Sequence, residues 1–154
     1  MQINKVEDAI KNLIEVFFEA GKLSLKLRSK GLIEHIKKDK TPVTNGDIEV
    51  NNIILNSLKK ITPNIPIVSE ETAENKNLNL ETFWLVDPID GTYDYMHNKD
   101  EFTLNAGLII KKEAVAGIIY APAKNRMFYS YGNNLSYELK NNREEIINNK
   151  KIDS

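Results

Sequence analysis

Residues 84–92 read Trp84-Leu85-Val86-Asp87-Pro88-Ile89-Asp90-Gly91-Thr92, and this stretch is the most informative part of the 154-residue chain. An apolar run that is typical of a buried strand leads directly into two aspartates three residues apart. Two carboxylates at a strand end can converge on one hard cation, because such cations prefer oxygen ligands. The stretch therefore predicts the end of a strand that carries a metal site.

The residues around the two aspartates suit the same chemistry. Pro88 has no N–H group and fixes one backbone angle, which leaves the carbonyls of a tight loop free to coordinate. Gly91 lets a ligand approach the backbone closely. If a helical turn begins at Thr92, its free N–H groups would face an anion such as phosphate. An isolated aspartate before glycine is more often a turn residue, but the nine-residue string as a whole favours the metal and phosphate interpretation.

Upstream of this stretch, the apolar spacing predicts two helices. Residues 4 to about 29 form one amphipathic helix, whose buried face is predicted to be Val6, Ile10, Leu13, Ile14 and Phe17. Gly31 suits its C-terminal stop. A second helix is predicted from about Asp47 to Lys60, with a buried stripe of Ile48, Ile54 and Leu58.

After Pro63 the pattern changes to short apolar runs separated by turn residues. Strands are predicted at residues 65–69, 83–86, 102–110, 115–120, 126–131 and 135–139. Their close spacing favours an antiparallel meander, because parallel strands need long crossovers. The predicted fold is α+β, with two N-terminal helices packed on a largely antiparallel sheet in one domain over residues 1–154. The polar tail from Asn141 to Ser154 shows no recognisable docking element.

Composition narrows the class of protein. The chain has no cysteine and a formal net charge of −1. Disulfides and thiolate metal sites are therefore excluded, and there is no electrostatic argument for a nucleic acid polymer or an anionic membrane. The N-terminal segment carries charges among its apolar residues, so it is neither a signal peptide nor a transmembrane segment. We expect a cytoplasmic protein.

Two further segments carry carboxylates, each with an ordinary alternative. Val68-Ser69-Glu70-Glu71 ends the preceding strand, and alternation along a strand would let at most one glutamate join Asp87 and Asp90. A solvated pair is the commoner role for such residues. Thr44 suits the N-cap of the second helix with Asp47 as its third residue, and capping alone explains both. Lys37, Lys38 and Lys40 are expected to lie in a solvated loop, although one of them would also suit a phosphate substrate.

These elements together resemble the inositol monophosphatase superfamily, the lithium-sensitive, Mg²⁺-dependent phosphatases. Residues 84–92 resemble its metal-binding signature, Ser69-Glu70-Glu71 its upstream Glu-Glu element, and residues 42–47 its Pro-Val-Thr-x-x-Asp element. Residues 101–109 and 117–122 are similar to 3'(2'),5'-bisphosphate nucleotidases of the CysQ type. The chain has Tyr93-Asp94-Tyr95 where that subgroup usually has Lys-Glu-Phe.

The resemblance implies a role for each matching residue. Glu70, Asp87 and the carbonyl of Ile89 would hold one Mg²⁺, and Asp87 and Asp90 would contribute to a second. Asp47 and Thr92 would activate the attacking water, and the backbone N–H groups of Gly91 and Thr92 would receive the substrate phosphate. The complete family site holds two or three Mg²⁺ ions and is sensitive to Li⁺.

The resemblance covers the N-terminal half of the family fold. Family members continue into a second α/β domain, which supplies a further aspartate ligand and much of the substrate pocket, and nothing in this sequence matches it. The implied function is hydrolysis of adenosine 3',5'-bisphosphate. The alternatives are an inositol-1-monophosphatase-type enzyme, and a non-catalytic remnant or one half of a split enzyme. Expected partners are a small phosphorylated substrate and either a separate C-terminal domain polypeptide or a second copy.

Overall fold

The computed structural model describes residues 3–72, 79–140 and 143–148. Three helices lie at Ile3–Lys30 (α1), Asn45–Ile61 (α2) and Thr92–Met96 (α3). The strands are Glu34–Ile36 (β1), Pro42–Thr44 (β2), Ile67–Ser69 (β3), Phe83–Asp90 (β4), Thr103–Ile110 (β5), Glu113–Ala121 (β6), Arg126–Ser130 (β7), Ser136–Lys140 (β8) and Arg143–Asn148 (β9). A 3₁₀ turn at Pro122–Lys124 connects β6 to β7.

The predicted α+β fold is confirmed. Seven strands form one sheet in the order β3-β4-β5-β6-β7-β8-β9, and β1 and β2 form a separate hairpin. Each pair from β4 to β9 is antiparallel, which is the predicted meander, and only the β3–β4 pair is parallel. The long connection between β3 and β4 permits that parallel pairing.

Helix α1 has the predicted extent and buries the predicted stripe. Val6, Ile10, Leu13 and Phe17 are buried, and Ile14 is half-buried. The helix ends before Gly31, whose φ of +94° is a left-handed conformation that glycine adopts without steric cost. The helix therefore packs and ends for reasons that are visible in its sequence.

Helix α2 is confirmed, but one residue of its predicted buried stripe is wrong. Ile48 is 41% exposed, whereas Val50, Ile54 and Leu58 are fully buried. Ile54 lies six positions after Ile48, and at this spacing the two side chains point to different faces of an α-helix. The buried stripe instead runs through Asp47, Val50, Asn51, Ile54, Leu55 and Leu58.

Two sheet elements were missing from the sequence prediction. Residues 143–148 form the edge strand β9, so the prediction that the tail has no docking element is wrong for these residues; the rest of that tail lies outside the described residues. Its charged sequence suits an edge strand that must not pair further. The expected loop around Lys37–Pro42 is the tip of the β1–β2 hairpin.

Helices α1 and α2 cover one face of the sheet, and no helix among the described residues covers the other face. Alternate residues of β4, β5 and β6, such as Trp84, Leu104 and Ile118, are fully buried with the helices in one core. We call the opposite side the open face. Among the described residues, no helix is long and apolar enough to cross a membrane.

Candidate active site

A bulge at the end of β4 turns the two aspartates toward the same side. Asp87 lies opposite Asn105 and Asp90 opposite Thr103, so β4 has one more residue than β5 across this interval. In a regular strand, residues three apart point to opposite faces, but an extra residue reverses that alternation. Asp87 and Asp90 therefore both leave the helix-covered face, while Ile89 between them is buried in the core.

Helix α2 begins with a hydrogen-bond network centred on Asp47, a fully buried carboxylate. Its Oδ2 accepts from the Thr44 backbone N–H at 2.8 Å and from the Thr44 hydroxyl at 2.6 Å. Thr44 Oγ1 in turn accepts from the Asp47 backbone N–H, which completes a capping box. The predicted cap is confirmed, and it occupies only one carboxylate oxygen.

The second oxygen of Asp47 connects α2 to the end of β4. The Thr92 hydroxyl donates to Asp47 Oδ1 at 3.0 Å, and the Ile89 carbonyl lies 3.3 Å from the same hydroxyl. These residues are 45 positions apart in sequence, so the fold itself makes the pair. The structure thus brings together Asp47 and Thr92, the two residues assigned to water activation by the resemblance.

Gly91 forms the turn between β4 and α3 in a conformation that requires glycine. Its φ is +87°, and a Cβ atom added there would lie 2.8 Å from the carbonyl oxygen of Glu101. The Gly91 carbonyl accepts from the Tyr95 N–H at 2.9 Å, which begins α3. Tyr95 is fully buried, but the neighbouring Tyr93 is 62% exposed.

Replacing Gly91 by alanine is expected to destabilise the protein through two separable effects. The left-handed backbone costs about 1–2 kcal/mol for a residue with a Cβ atom, and overpacking against the Glu101 carbonyl adds about 1–3 kcal/mol. Gly132→Ala is the matched control, because Gly132 has a φ of +88° but its added Cβ would lie 3.5 Å from the nearest atom. Urea unfolding of both variants measures the difference; equal losses would contradict the close contact at Gly91.

The two glutamates lie in the turn that follows β3. Lys37, which was expected in a solvated loop, reaches the carboxylate of Glu71 at 3.0–3.1 Å, and the Glu71 side chain is only 6% exposed. Burial raises the pKa of Glu71, and the Lys37 ammonium opposes that rise. The Glu70 N–H donates to the Val86 carbonyl at 3.1 Å, which places Glu70 beside the end of β4.

Asn51 supports this turn, although the sequence analysis did not identify it. Its Oδ1 accepts from the Ser69 hydroxyl, and its Nδ2 donates to Thr72 Oγ1 at 3.0 Å. Asn51 lies on the buried stripe of α2. A buried amide needs a hydrogen-bond partner. The position of Asn51 in the apolar pattern of α2 was therefore the sequence signal that could have identified its supporting role.

Negative charge accumulates around Asp87. Burial and then the charges of Asp90, Glu70, Glu71 and Asp47, in decreasing order, raise the pKa of Asp87 to about 6. Like charges at short range disfavour the ionised form of a carboxyl group. The negative charges of Asp90, Glu70, Glu71 and Asp47 therefore all act on Asp87.

A divalent cation fits the chemistry of this donor set. The predicted ligands are carboxylate and carbonyl oxygens, which hard cations such as Mg²⁺ prefer, and a cation would relieve the mutual repulsion at Asp87. Within residues 3–72, 79–140 and 143–148, no three Asp, Glu, His or Cys side chains are grouped so that they could hold a metal ion. The individual ligand assignments therefore stay predictions.

These observations define a class: an α+β protein with several carboxylates near the end of one strand, beside a hydrogen-bonded Thr–Asp pair. The sequence pattern of the inositol monophosphatase family matches residues 4–152, and the chain belongs to that family. The family resemblance of residues 84–92 is thereby confirmed.

Individual relatives agree with this membership. The chain is 40% identical over 114 residues to the 3'(2'),5'-bisphosphate nucleotidase CysQ of Buchnera aphidicola, a match that spans 73% of this chain and 43% of that protein. It superposes on the solved CysQ of Bacteroides thetaiotaomicron with a TM-score of 0.68 and 28% identity, over 86% of this chain and 48% of that one. An inositol monophosphatase/NADP phosphatase solved with Mg²⁺ and phosphate shares the fold, with a TM-score of 0.73 and 13% identity over 90% of this chain and 52% of that one. The chain thus spans about half the length of the relatives it matches.

Proposed function

We propose that the chain is the metal-binding half of a Mg²⁺-dependent phosphomonoesterase that acts on adenosine 3',5'-bisphosphate. The observation that carries this proposal is the hydrogen bond from Thr92 to the buried Asp47, formed beside the carboxylates at the end of β4. The similarity to CysQ proteins favours a bisphosphate nucleotide over inositol 1-phosphate as substrate. A cytoplasmic location stays an expectation from the sequence.

In this proposal the residues at the end of β4 hold the metal. Glu70, Asp87 and the Ile89 carbonyl would bind one Mg²⁺, and Asp87 with Asp90 would contribute to a second. When bound, Mg²⁺ supplies positive charge that neutralises the attacking and leaving oxygens of an in-line displacement. A recess of about 250 Å³ lies beside Asp90 and Gly91. In this proposal the backbone N–H groups of Gly91 and Thr92 would receive the substrate phosphate.

The Thr92–Asp47 pair would handle the proton of the attacking water. Thr92 Oγ1 donates its hydrogen to Asp47 Oδ1, so its lone pairs are available to accept a hydrogen from water. As the water attacks phosphorus, its proton passes to Thr92 while the Thr92 proton passes to Asp47. The cap at Oδ2 holds the carboxylate in place throughout, because both Thr44 bonds use that other oxygen.

Phosphate release in the presence of Mg²⁺ tests the proposal. We expect faster release from adenosine 3',5'-bisphosphate than from inositol 1-phosphate, and we expect Asp90→Asn to weaken Mg²⁺ binding measured by calorimetry. The reverse substrate order would favour the inositol-1-monophosphatase-type alternative. If neither substrate is hydrolysed and Asp90→Asn leaves Mg²⁺ binding unchanged, the chain is not a phosphatase half but the non-catalytic remnant considered above.

A further inference from the structure

Tyr95 of α3 is held by contacts from other elements beside the candidate active site. Its side chain is fully buried, and its hydroxyl donates to the Ser24 carbonyl of α1 at 2.7 Å. The ring of Phe102 packs on it with a centroid distance of 4.8 Å, and the Arg28 guanidinium carbon lies 5.8 Å from its centroid. Because the ring is fixed at its tip and on its sides, it cannot turn aside freely.

Tyr95 also lies directly on Gly46, in the first turn of α2. A Cβ atom added at Gly46 would lie 2.2 Å from the Tyr95 hydroxyl oxygen and 2.7 Å from a ring carbon. Gly46 does not have a positive φ, so its backbone conformation does not require glycine. Glycine at this position instead allows the close approach of the tyrosine ring to the backbone of α2.

This contact adjoins both ends of the Thr92–Asp47 hydrogen bond. Asp47 follows Gly46 directly in α2. Thr92 precedes Tyr95 by three positions in α3, a spacing that puts two residues on one face of a helix. Helix α3 also packs against β2, the strand that leads into α2. The contact between Tyr95 and Gly46 therefore sets how closely α3 approaches the start of α2.

We propose that Tyr95 is a positioning residue that holds Thr92 within hydrogen-bond distance of Asp47. Thr92 Oγ1 lies 3.0 Å from Asp47 Oδ1, so a separation larger by about 0.5 Å would break this hydrogen bond. A side-chain carbon at residue 46 needs ordinary contact distance from Tyr95 and would displace α2 by about 1 Å. The catalytic consequence of this role rests on the proposed function, whereas the positioning itself does not.

A positioning role and a simple core role predict different results. Loss of a core contact lowers the melting temperature but does not change what the Thr92–Asp47 hydrogen bond contributes, whereas loss of positioning removes that contribution. Thr92→Val measures it, because valine has nearly the shape of threonine but no hydroxyl. For a hydrogen bond to a charged group, we expect Thr92→Val to lower the melting temperature by about 3–12 °C.

Two variants weaken the positioning in different ways. Gly46→Ala pushes the start of α2 away from the ring of Tyr95, and Tyr95→Phe keeps the ring but releases it from Ser24. Gly21→Ala is the matched control, because its added Cβ atom would lie 2.3 Å from the ring of Tyr120. It overpacks a buried tyrosine to the same degree, but Tyr120 belongs to β6 and not to α2 or α3.

The experiment introduces Thr92→Val into the unmodified chain and into each of the three variants, and compares the losses in melting temperature without metal. We expect the full loss in the unmodified chain and in Gly21→Ala. In Gly46→Ala and in Tyr95→Phe we expect less than half of it. Tyr95→Phe decides the outcome by itself if Gly46→Ala does not fold.

Three results would overturn the proposal. They are an equal loss in all backgrounds, a loss that Gly21→Ala reduces as much as the other variants do, and an unmodified chain that Thr92→Val leaves unchanged. Phosphate release enters none of these measurements. Failure of the proposed function is therefore seen separately, as absence of hydrolysis, and leaves the positioning test unaffected.

Discussion

Asp47→Asn is expected to lower Mg²⁺-dependent phosphate release by about 10²–10⁴-fold, the contribution typical of proton transfer by a positioned side chain. The change in unfolding free energy should stay below about 1 kcal/mol, since the helix cap can survive. The asparagine carbonyl can take the place of Oδ2 and accept from the Thr44 N–H and hydroxyl. Its NH₂ group then faces Thr92.

That exchange removes the proton acceptor while it preserves the fold. An NH₂ group donates to Thr92 Oγ1, so the Thr92 hydroxyl must turn to its other neighbour, the Ile89 carbonyl 3.3 Å away. Thr92 can then no longer pass a proton to residue 47. Asparagine at this position therefore separates the structural role of Asp47 from its proposed chemical role.

Two further variants complete the comparison. Asp47→Ala removes the helix cap as well as the proton acceptor. It should therefore lower phosphate release and also lower the unfolding free energy by about 1–2 kcal/mol. Thr92→Val keeps both Thr44 bonds to Oδ2 and should match Asp47→Asn in phosphate release. Denaturant unfolding and phosphate release are measured on the same preparations. An Asp47→Asn protein with unchanged phosphate release would show that Asp47 is a capping residue only.

The sequence predicted the parts of the fold that depend on local patterns. Helix α1 followed from apolar spacing, and the Thr44–Asp47 capping box from the types of residue at the start of α2. Edge strand β9 was not predicted, because its charged sequence has no apolar run and its pairing with β8 is a tertiary contact. Ile48 was misplaced because it is apolar but lies off the helical face that the core selects.

The candidate site also combines features that local sequence patterns predict with contacts that only the fold creates. The aspartates of residues 84–92 were recognisable, but only the bulge opposite Leu104 shows why residues three apart share one side. The ion pair between Lys37 and Glu71 joins elements 34 residues apart, and no local pattern encodes it. Sequence therefore predicted which groups would carry the chemistry, and the fold determines which of them meet.

Asp87→Asn is expected to stabilise the metal-free protein and to abolish its stabilisation by Mg²⁺. Burial and four neighbouring carboxylates raise the pKa of Asp87 to about 6, above the ordinary value of 3.8 that the unfolded chain keeps. A carboxyl group with a raised pKa in the folded state binds more protons folded than unfolded, so stability falls as pH rises from about 4 through 6. At pH 8 the neutral asparagine should therefore raise the unfolding free energy by on the order of 1 kcal/mol. This figure allows for solvent screening of the half-buried Asp87 carboxylate.

Saturating Mg²⁺ is expected to make the unmodified protein more stable than Asp87→Asn. A ligand at 100 times its dissociation constant stabilises the folded state by about 2.7 kcal/mol. Because Asp87→Asn lacks this stabilisation, the unmodified protein should have the higher melting temperature once Mg²⁺ is saturating. Melting temperatures at pH 4 and pH 8, with and without MgCl₂, measure both effects, and the difference between the metal-free proteins should vanish at pH 4. Asp8→Asn removes the same charge from an exposed position on α1 and should respond to Mg²⁺ like the unmodified chain. An Asp87→Asn protein that Mg²⁺ stabilises as strongly as the unmodified chain would remove Asp87 from the metal site, and with it the reason for the charge gathered at the end of β4.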